Sequence, residues 1–182
     1  MTEQTTRIII VDDHPLVRQG MKKVIEKEQG LTVINEAGSA EEAIRCINQV
    51  EPDLAIVDIS MESETSGIDL IKAMRDRFPA IKVLVLSMHD ENIYAERALR
   101  AGARGYVAKK EAPAVIIQAI RTVMGGELYL SGRISMKIID RLFQGKDSGA
   151  ESLPDILSDR ELEIFRMIGG GMSTGDIAKK LN

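Results

Sequence analysis

Five short apolar runs punctuate this chain, and four of them stop at a residue suited to a phosphate or a metal ion. Arg7-Ile-Ile-Ile-Val-Asp12-Asp13 ends in two carboxylates and Leu54-Ala-Ile-Val-Asp58 in a third. Lys82-Val-Leu-Val-Leu-Ser87 ends in a hydroxyl, and Gly105-Tyr-Val-Ala-Lys109 in an ammonium. Only Leu31-Thr-Val-Ile ends without chemistry. The runs are rich in Val, Ile and Leu and lack polar alternation, the pattern of strands buried on both faces of a parallel sheet.

Between the runs the apolar spacing changes to three and four residues, which predicts helices. Ala40, Ala43, Ile44, Ile47 and Val50 form one such stripe, Ile71, Met74 and Phe78 another, and Val115, Ile116, Ala119, Ile120 and Val123 a third. Strand and helix alternating five times predicts a doubly wound α/β fold, a five-stranded parallel sheet with helices on both faces. Ligands of such sheets bind outside the carboxyl ends of the strands, where the winding reverses. Asp12, Asp13, Asp58, Ser87 and Lys109 therefore fall in one expected crevice.

The division expected along the chain is residues 1–126 for this domain, 127–152 for a linker helix and a flexible linker, and 153–182 for a small helical unit. The linker helix runs from Ser135 to Phe143, with Met136, Ile139 and Leu142/Phe143 on one side. Gln144-Gly-Lys-Asp-Ser-Gly-Ala-Glu-Ser is short, polar and free of bulky apolar residues,. Ser158-Asp-Arg-Glu161 reads as a capping box opening a helix with Leu162, Phe165 and Ile168. Gly169-Gly-Gly171 stops that helix, and Ser173-Thr-Gly-Asp176 opens another carrying Ile177 and Leu181. Two short helices bury little core, so this last unit is expected to be the start of a larger one.

Composition excludes several classes. Across 182 residues no apolar stretch approaches membrane-spanning length, and the opening Met1-Thr-Glu-Gln-Thr-Thr lacks the basic and apolar regions of a signal peptide,. The single cysteine, Cys46, has no intrachain partner. Together these features favour the cytosol, so a cytoplasmic protein with no membrane partner is expected. The net charge of −4 offers no general attraction to nucleic acid,. Gly-x-x-x-x-Gly-Lys loops and Cys-x-x-Cys pairs are absent, removing the commonest nucleotide and zinc readings,. His14 and His89 have too few partners in sequence for a histidine metal site.

Three carboxylates converging in one crevice repel one another, and a cation is the natural remedy. Oxygen donors with open positions suit Mg²⁺. A lysine and a hydroxyl in the same place are useful when an anion with several oxygens arrives, and a carboxylate can itself receive a phosphoryl group. Asp58, on the central strand, is the best-placed acceptor, with Asp12 and Asp13 holding the metal. Lys109 would pair with phosphate oxygens and Ser87 hydrogen-bond another. The bland readings stand beside this one: Asp12 and Asp13 as caps of a helix opening at His14-Pro15, and Lys109 with Lys110 as a solvated pair.

Val11-Asp-Asp-His-Pro, Val57-Asp-Ile-Ser-Met, Leu86-Ser-Met-His and Gly105-Tyr-Val-Ala-Lys resemble the receiver domain of two-component response regulators. Leu157-Ser-Asp-Arg-Glu-Leu-Glu, Gly171-Met-Ser173 and Asp176-Ile-Ala-Lys-Lys-Leu-Asn resemble the opening of a LuxR-type helix-turn-helix, the pairing of NarL/FixJ-type regulators. The resemblance implies a flavodoxin-like receiver with Asp58 as phosphoacceptor. It implies direct Mg²⁺ ligation by Asp13, Asp58 and the Ser60 backbone carbonyl, with Asp12 acting through water. It also makes Lys109 the phosphoryl contact, Ser87 the switch hydroxyl and Tyr106 the aromatic residue whose rotamer follows it. The implied partners are a sensor histidine kinase, a second copy of the chain on phosphorylation, and promoter DNA for the intact protein.

Two departures accompany the resemblance. Glu62 stands where the family usually has proline, and Gly67 comes one residue late, so the loop Glu62-Ser-Glu-Thr-Ser is longer and more acidic. The recognition helix that would enter the major groove is expected beyond Asn182, which leaves no DNA-binding residue within this chain. From Leu153 to Asn182, Arg160, Arg166, Lys179 and Lys180 are matched against Asp155, Asp159, Glu161, Glu163 and Asp176, with no basic stripe,. Two rival classes follow from the same residues. One is a protein-interaction module without DNA binding. The other is an aspartyl-phosphate phosphatase, disfavoured because the leaving-group acid expected two residues after the nucleophile is Ser60.

Overall fold

Helix starts in the first part of the chain are set by short polar side chains or by proline. Ser39, Ser66 and Asp90 cap three helices, each accepting a backbone N–H of the first turn,. Pro15 and Pro113 open two more, where the missing N–H is not needed,. The computed structural model describes residues 5–61, 65–143 and 157–180. In order these are β1 (Thr6–Val11), α1 (Pro15–Ile25), β2 (Leu31–Ala37), α2 (Ala40–Val50), β3 (Leu54–Val57), α3 (Gly67–Arg77), β4 (Lys82–Ser87), α4 (Glu91–Ala101), β5 (Gly105–Ala108), α5 (Pro113–Met124) and α6 (Gly132–Phe143). Two helices follow, α7 (Asp159–Gly169) and α8 (Thr174–Lys180). Among these residues no helix is long and apolar enough to cross a membrane.

The sheet is parallel throughout, in the order β2-β1-β3-β4-β5. The winding reverses between β1 and β3, so the crevice expected of such a sheet lies at the ends of those two strands. Ile8, Ile10, Leu54, Ile56, Leu84 and Leu86 point to one face and pack with Ile25 of α1 and with Ile116, Ile120 and Val123 of α5. Ile9, Val11, Ala55, Val57 and Val85 alternate with them and are equally buried. They leave α2, α3 and α4 to close the second face with Ile47, Ile71, Met74 and Ala98. Burial on both faces is the physical reason the strand runs show no polar alternation.

The chain divides into two compact units, Met1–Ile138 and Ile139–Asn182. Residues after Gly126 contribute to the first unit. Tyr129 bridges to Gly105 in parallel register, its amide donating to the Arg104 carbonyl (3.0 Å) and its carbonyl accepting from the Tyr106 amide (2.9 Å). This strap covers the open edge of β5. The first turns of α6 then dock on α4: Ser131 Oγ donates to Glu91 Oε1 at 3.0 Å, and Lys137 Nζ donates to the Asn92 carbonyl at 3.1 Å.

In the second unit the expected capping box forms, with Ser158 N donating to Glu161 Oε2 (2.8 Å) and Glu161 N donating to Ser158 Oγ (3.3 Å),. Gly171, at φ +81°, makes the left-handed turn that ends α7, and Ser173 Oγ accepts from Asp176 N to open α8. Leu162 and Ile177 are buried, whereas Phe165 and Ile168 are about half exposed. The polar linker 144–152 lies outside the described residues.

Candidate functional site

The strand ladders run one residue past the strands and carry the polar side chains with them. Asp58 N donates to the Val11 carbonyl at 2.8 Å, Asp12 N to the Ala37 carbonyl at 3.0 Å, and Lys109 N to the Ser87 carbonyl at 2.8 Å. Backbone pairing thus holds Asp12, Asp58 and Lys109 at the sheet edge. Asp12, Asp58 and Ser87 are the fully buried polar residues among those described.

Lys109 Nζ reaches between two carboxylates, 2.7 Å from Asp58 Oδ2 and 2.6 Å from Asp12 Oδ2. Asp58 Oδ1 accepts from Ser60 N at 2.9 Å. Asp13 lies toward solvent and is paired with His14 Nδ1 at 2.6 Å. The N-cap of α1 is His14, whose side chain makes no capping bond. Asp12 Oδ1 accepts the His14 amide at 2.9 Å, one residue outside the helix.

Burial pushes the Asp58 carboxyl above its ordinary range, against the downward pull of the Lys109 ammonium and the Ser60 amide, and the nearby Asp12 charge adds to the rise,. Lys109 shows the opposite balance. Burial acts to lower it, but hydrogen bonds to Asp12 and Asp58 win and hold it above an ordinary lysine.

Donor atoms of Asp12, Asp13, His14 and Asp58 lie within 4.8 Å of one another. Oxygen dominates this donor set, and among the described residues three carboxylates face the largely buried Lys109 ammonium. That excess of negative charge with an outward-facing side fits a hard divalent cation that keeps some of its waters, as Mg²⁺ does.

A second set of groups surrounds Ser87. Its Oγ accepts from His89 N at 3.1 Å and is 2.9 Å from Ser60 Oγ. Tyr106, almost wholly buried, donates its hydroxyl to the His89 carbonyl at 3.0 Å. Burial raises the Tyr106 phenol far above its usual value and keeps it protonated,. The His89 ring stacks on Tyr94, centroids 4.6 Å apart.

All the residues singled out in the sequence, namely Asp12, Asp13, Asp58, Ser60, Ser87, Tyr106 and Lys109, gather at this one edge. Sequence reasoning missed the side chains of His14, Ser60 and His89. One device places all three. At each of three strand ends a side-chain oxygen accepts the amide two residues on: Asp12 to His14, Asp58 to Ser60, Ser87 to His89. These are Asx- and Ser-turns, and an Asp or Ser at a strand end is the signal that could have found them.

The lengthened loop keeps its anchor. A Cβ built on Gly67 would fall 2.4 Å from the Asp58 carbonyl oxygen and 2.5 Å from Ile59 Cα, so only glycine fits there. The extra residue has not moved the glycine away from Asp58. Thr65 Oγ1 donates to Glu41 Oε1 at 2.9 Å, which ties the end of the loop to α2. Residues 62–64 lie outside the described residues.

Residues 8–121 match the family described as the response regulator receiver domain. The chain is 34% identical over 178 residues to the oxygen regulatory protein NreC of Staphylococcus haemolyticus (strain JCSC1435), a match covering 96% of this chain and 82% of that protein. This chain is a response regulator of the NarL/FixJ type. Solved structures agree with the assignment. A LuxR-family two-component response regulator from Aurantimonas sp. SI85-9A1 superposes on this response regulator with TM-score 0.69 at 36% identity, covering 75% of this chain and 96% of that one. RcsB, solved as two dimers bound to two parallel DNAs, gives TM-score 0.68 at 27% identity, covering 98% of this chain and 83% of that one. The five-stranded sheet and its helices are thus the flavodoxin-like receiver fold, and the chain belongs to two-component control of transcription.

Proposed function

We propose that Asp58 is the phosphoacceptor of this response regulator. It would receive its phosphoryl group from the phosphohistidine of a sensor histidine kinase. The observation that carries the reading is the buried Lys109 ammonium bridging Asp58 and Asp12 at 2.7 and 2.6 Å. An ion pair this costly to bury is of use where a doubly charged phosphoryl group is to be held. A carboxylate oxygen of Asp58 attacks phosphorus, the P–N bond to the kinase imidazole breaks, and its electron pair leaves with the ring.

Asp13, Asp58 and the Ser60 carbonyl would hold Mg²⁺ directly and Asp12 through water; bound there, Mg²⁺ neutralises carboxylate and phosphoryl charge. The chain's own groups complete the work. Ser60 N orients Asp58, Lys109 turns its ammonium onto a phosphoryl oxygen, and Ser87 donates its hydroxyl to another. Movement of Ser87 loosens the His89 turn that accepts the Tyr106 hydroxyl, and so biases the receiver between two packings. In the intact protein the output is homodimerisation and contact with promoter DNA through the helix-turn-helix that α7 and α8 begin.

Incubating the chain with Mg²⁺ and acetyl phosphate tests the reading by intact mass. A gain of about 80 Da, one phosphoryl group on a carboxylate, is expected with Mg²⁺ and not with EDTA. A mass that never changes would contradict it.

A further inference from the structure

Ser87 Oγ carries one proton, and the pocket offers that proton a resting partner. The oxygen accepts from the His89 amide at 3.1 Å, which fixes where it sits, and Ser60 Oγ lies 2.9 Å away, just past the carboxyl end of the neighbouring strand β3. Ser60 is held in place by its own amide, bound to Asp58 Oδ1 at 2.9 Å. Its hydroxyl therefore stands beside the acceptor carboxylate because of the same turn that orients that carboxylate. To grip a phosphoryl oxygen on Asp58, Ser87 must point its proton at that oxygen.

We propose that Ser60 is a positioning residue, whose hydroxyl accepts the Ser87 proton at rest and so sets how readily the pocket closes on a tetrahedral phosphoryl group. The inference rests on the reading of Asp58 as phosphoacceptor and adds a regulator of it. Ser60 acts through Ser87. In the resting pocket the Ser60–Ser87 bond competes with the Ser87–phosphoryl bond, and one neutral hydrogen bond is the difference between the two states. The backbone of Ser60 is untouched by changes to its side chain, so its backbone duties and its side-chain duty are separable. The amide serves Asp58, and the hydroxyl restrains Ser87.

The test is calorimetric titration of the full chain with beryllofluoride, a phosphoryl mimic, in Mg²⁺. The variants are Ser60→Ala, Ser60→Thr, Ser87→Ala and the Ser60→Ala/Ser87→Ala pair. Ser60→Ala is expected to tighten beryllofluoride binding by about fivefold, the scale of one neutral hydrogen bond. Ser60→Thr, which restores a hydroxyl, returns the wild-type affinity. In the Ser87→Ala background Ser60→Ala has no effect, a coupling that a merely structural role for Ser60 does not produce. Weaker or unchanged binding in Ser60→Ala, or the same shift with and without Ser87, overturns the proposal while wild-type binding keeps the phosphoacceptor reading. No binding by the wild-type chain removes both.

Discussion

The Lys109 ammonium and the Asp58 carboxylate, 51 residues apart in sequence, meet at 2.7 Å in a pocket from which water is largely excluded. The pair is strained by its own burial. Asp58 is raised above an ordinary carboxyl in the folded protein, chiefly by desolvation, so folding favours its protonated form. Its contribution to stability is then present below the unfolded carboxyl pKa and lost as pH rises through the raised folded value. At neutral pH, in EDTA, Asp58→Asn is expected to stabilise the domain and raise its Tm. The gain shrinks as pH falls through the raised value, and thermal melts of both proteins across pH check it.

Gly67 is wedged against the backbone of Asp58 and Ile59. In Gly67→Ala the new methyl meets the Asp58 carbonyl oxygen and Ile59 Cα, both backbone atoms that side-chain rotation cannot clear. Urea unfolding is expected to show a loss of about 1–3 kcal/mol, the ordinary range for forced overpacking. Acyl-phosphate formation slows roughly 10- to 100-fold, since displacing a reacting group by about an ångström has that effect. Wild-type kinetics in Gly67→Ala would mean the loop tolerates a shift that the contacts forbid.

The C-cap of α2 is Glu51, at φ +44°, a left-handed conformation that suits glycine,. The Arg7 guanidinium donates to the carbonyls of Val50 and Glu51 and holds the turn. Glu51→Gly relieves the backbone while leaving those carbonyls in place. It is expected to raise stability by about 0.5–1 kcal/mol in denaturant unfolding, the left-handed penalty less the entropy of glycine.

Glu91 joins α4 to the start of α6 through Ser131 Oγ, with Arg133 at 3.8 Å. Glu91→Ala removes this contact and leaves the sheet intact. Amide exchange is expected to accelerate across residues 131–137 and stay unchanged in β1 and β3. Uniform acceleration in both places would show instead that Glu91 supports the whole domain.

The strand-end residues are legible in the sequence because two constraints act on them at once. Packing demands apolar side chains along Ile8–Val11 and Leu54–Val57, and nothing in packing demands an Asp after each. The polar residue therefore stands out against its run. Ser60, His14 and His89 do not, since each sits in a turn where polar residues are ordinary and only the hydrogen bond to the residue two places earlier gives it a direction. Tyr129 is illegible for another reason. A single bridge on the edge of β5 leaves no periodicity, so the residues after Gly126 have the sequence character of a linker although they close the sheet. Gly67 comes one residue late in the sequence, yet it lies directly against Asp58. Its contact with Asp58 depends on where α3 starts, and that start is fixed by the Ser66 cap.

The measurement that tests the account most directly is the chemical address of the phosphoryl group. After reaction with acetyl phosphate and Mg²⁺, borohydride reduces an acyl phosphate to an alcohol, converting an aspartyl phosphate to homoserine. Peptide mass mapping then reads the position. The account predicts homoserine at position 58, none at positions 12 or 13, and none anywhere when EDTA replaces Mg²⁺. Reduction at another carboxylate, or a phosphoryl group retained on serine, would contradict it.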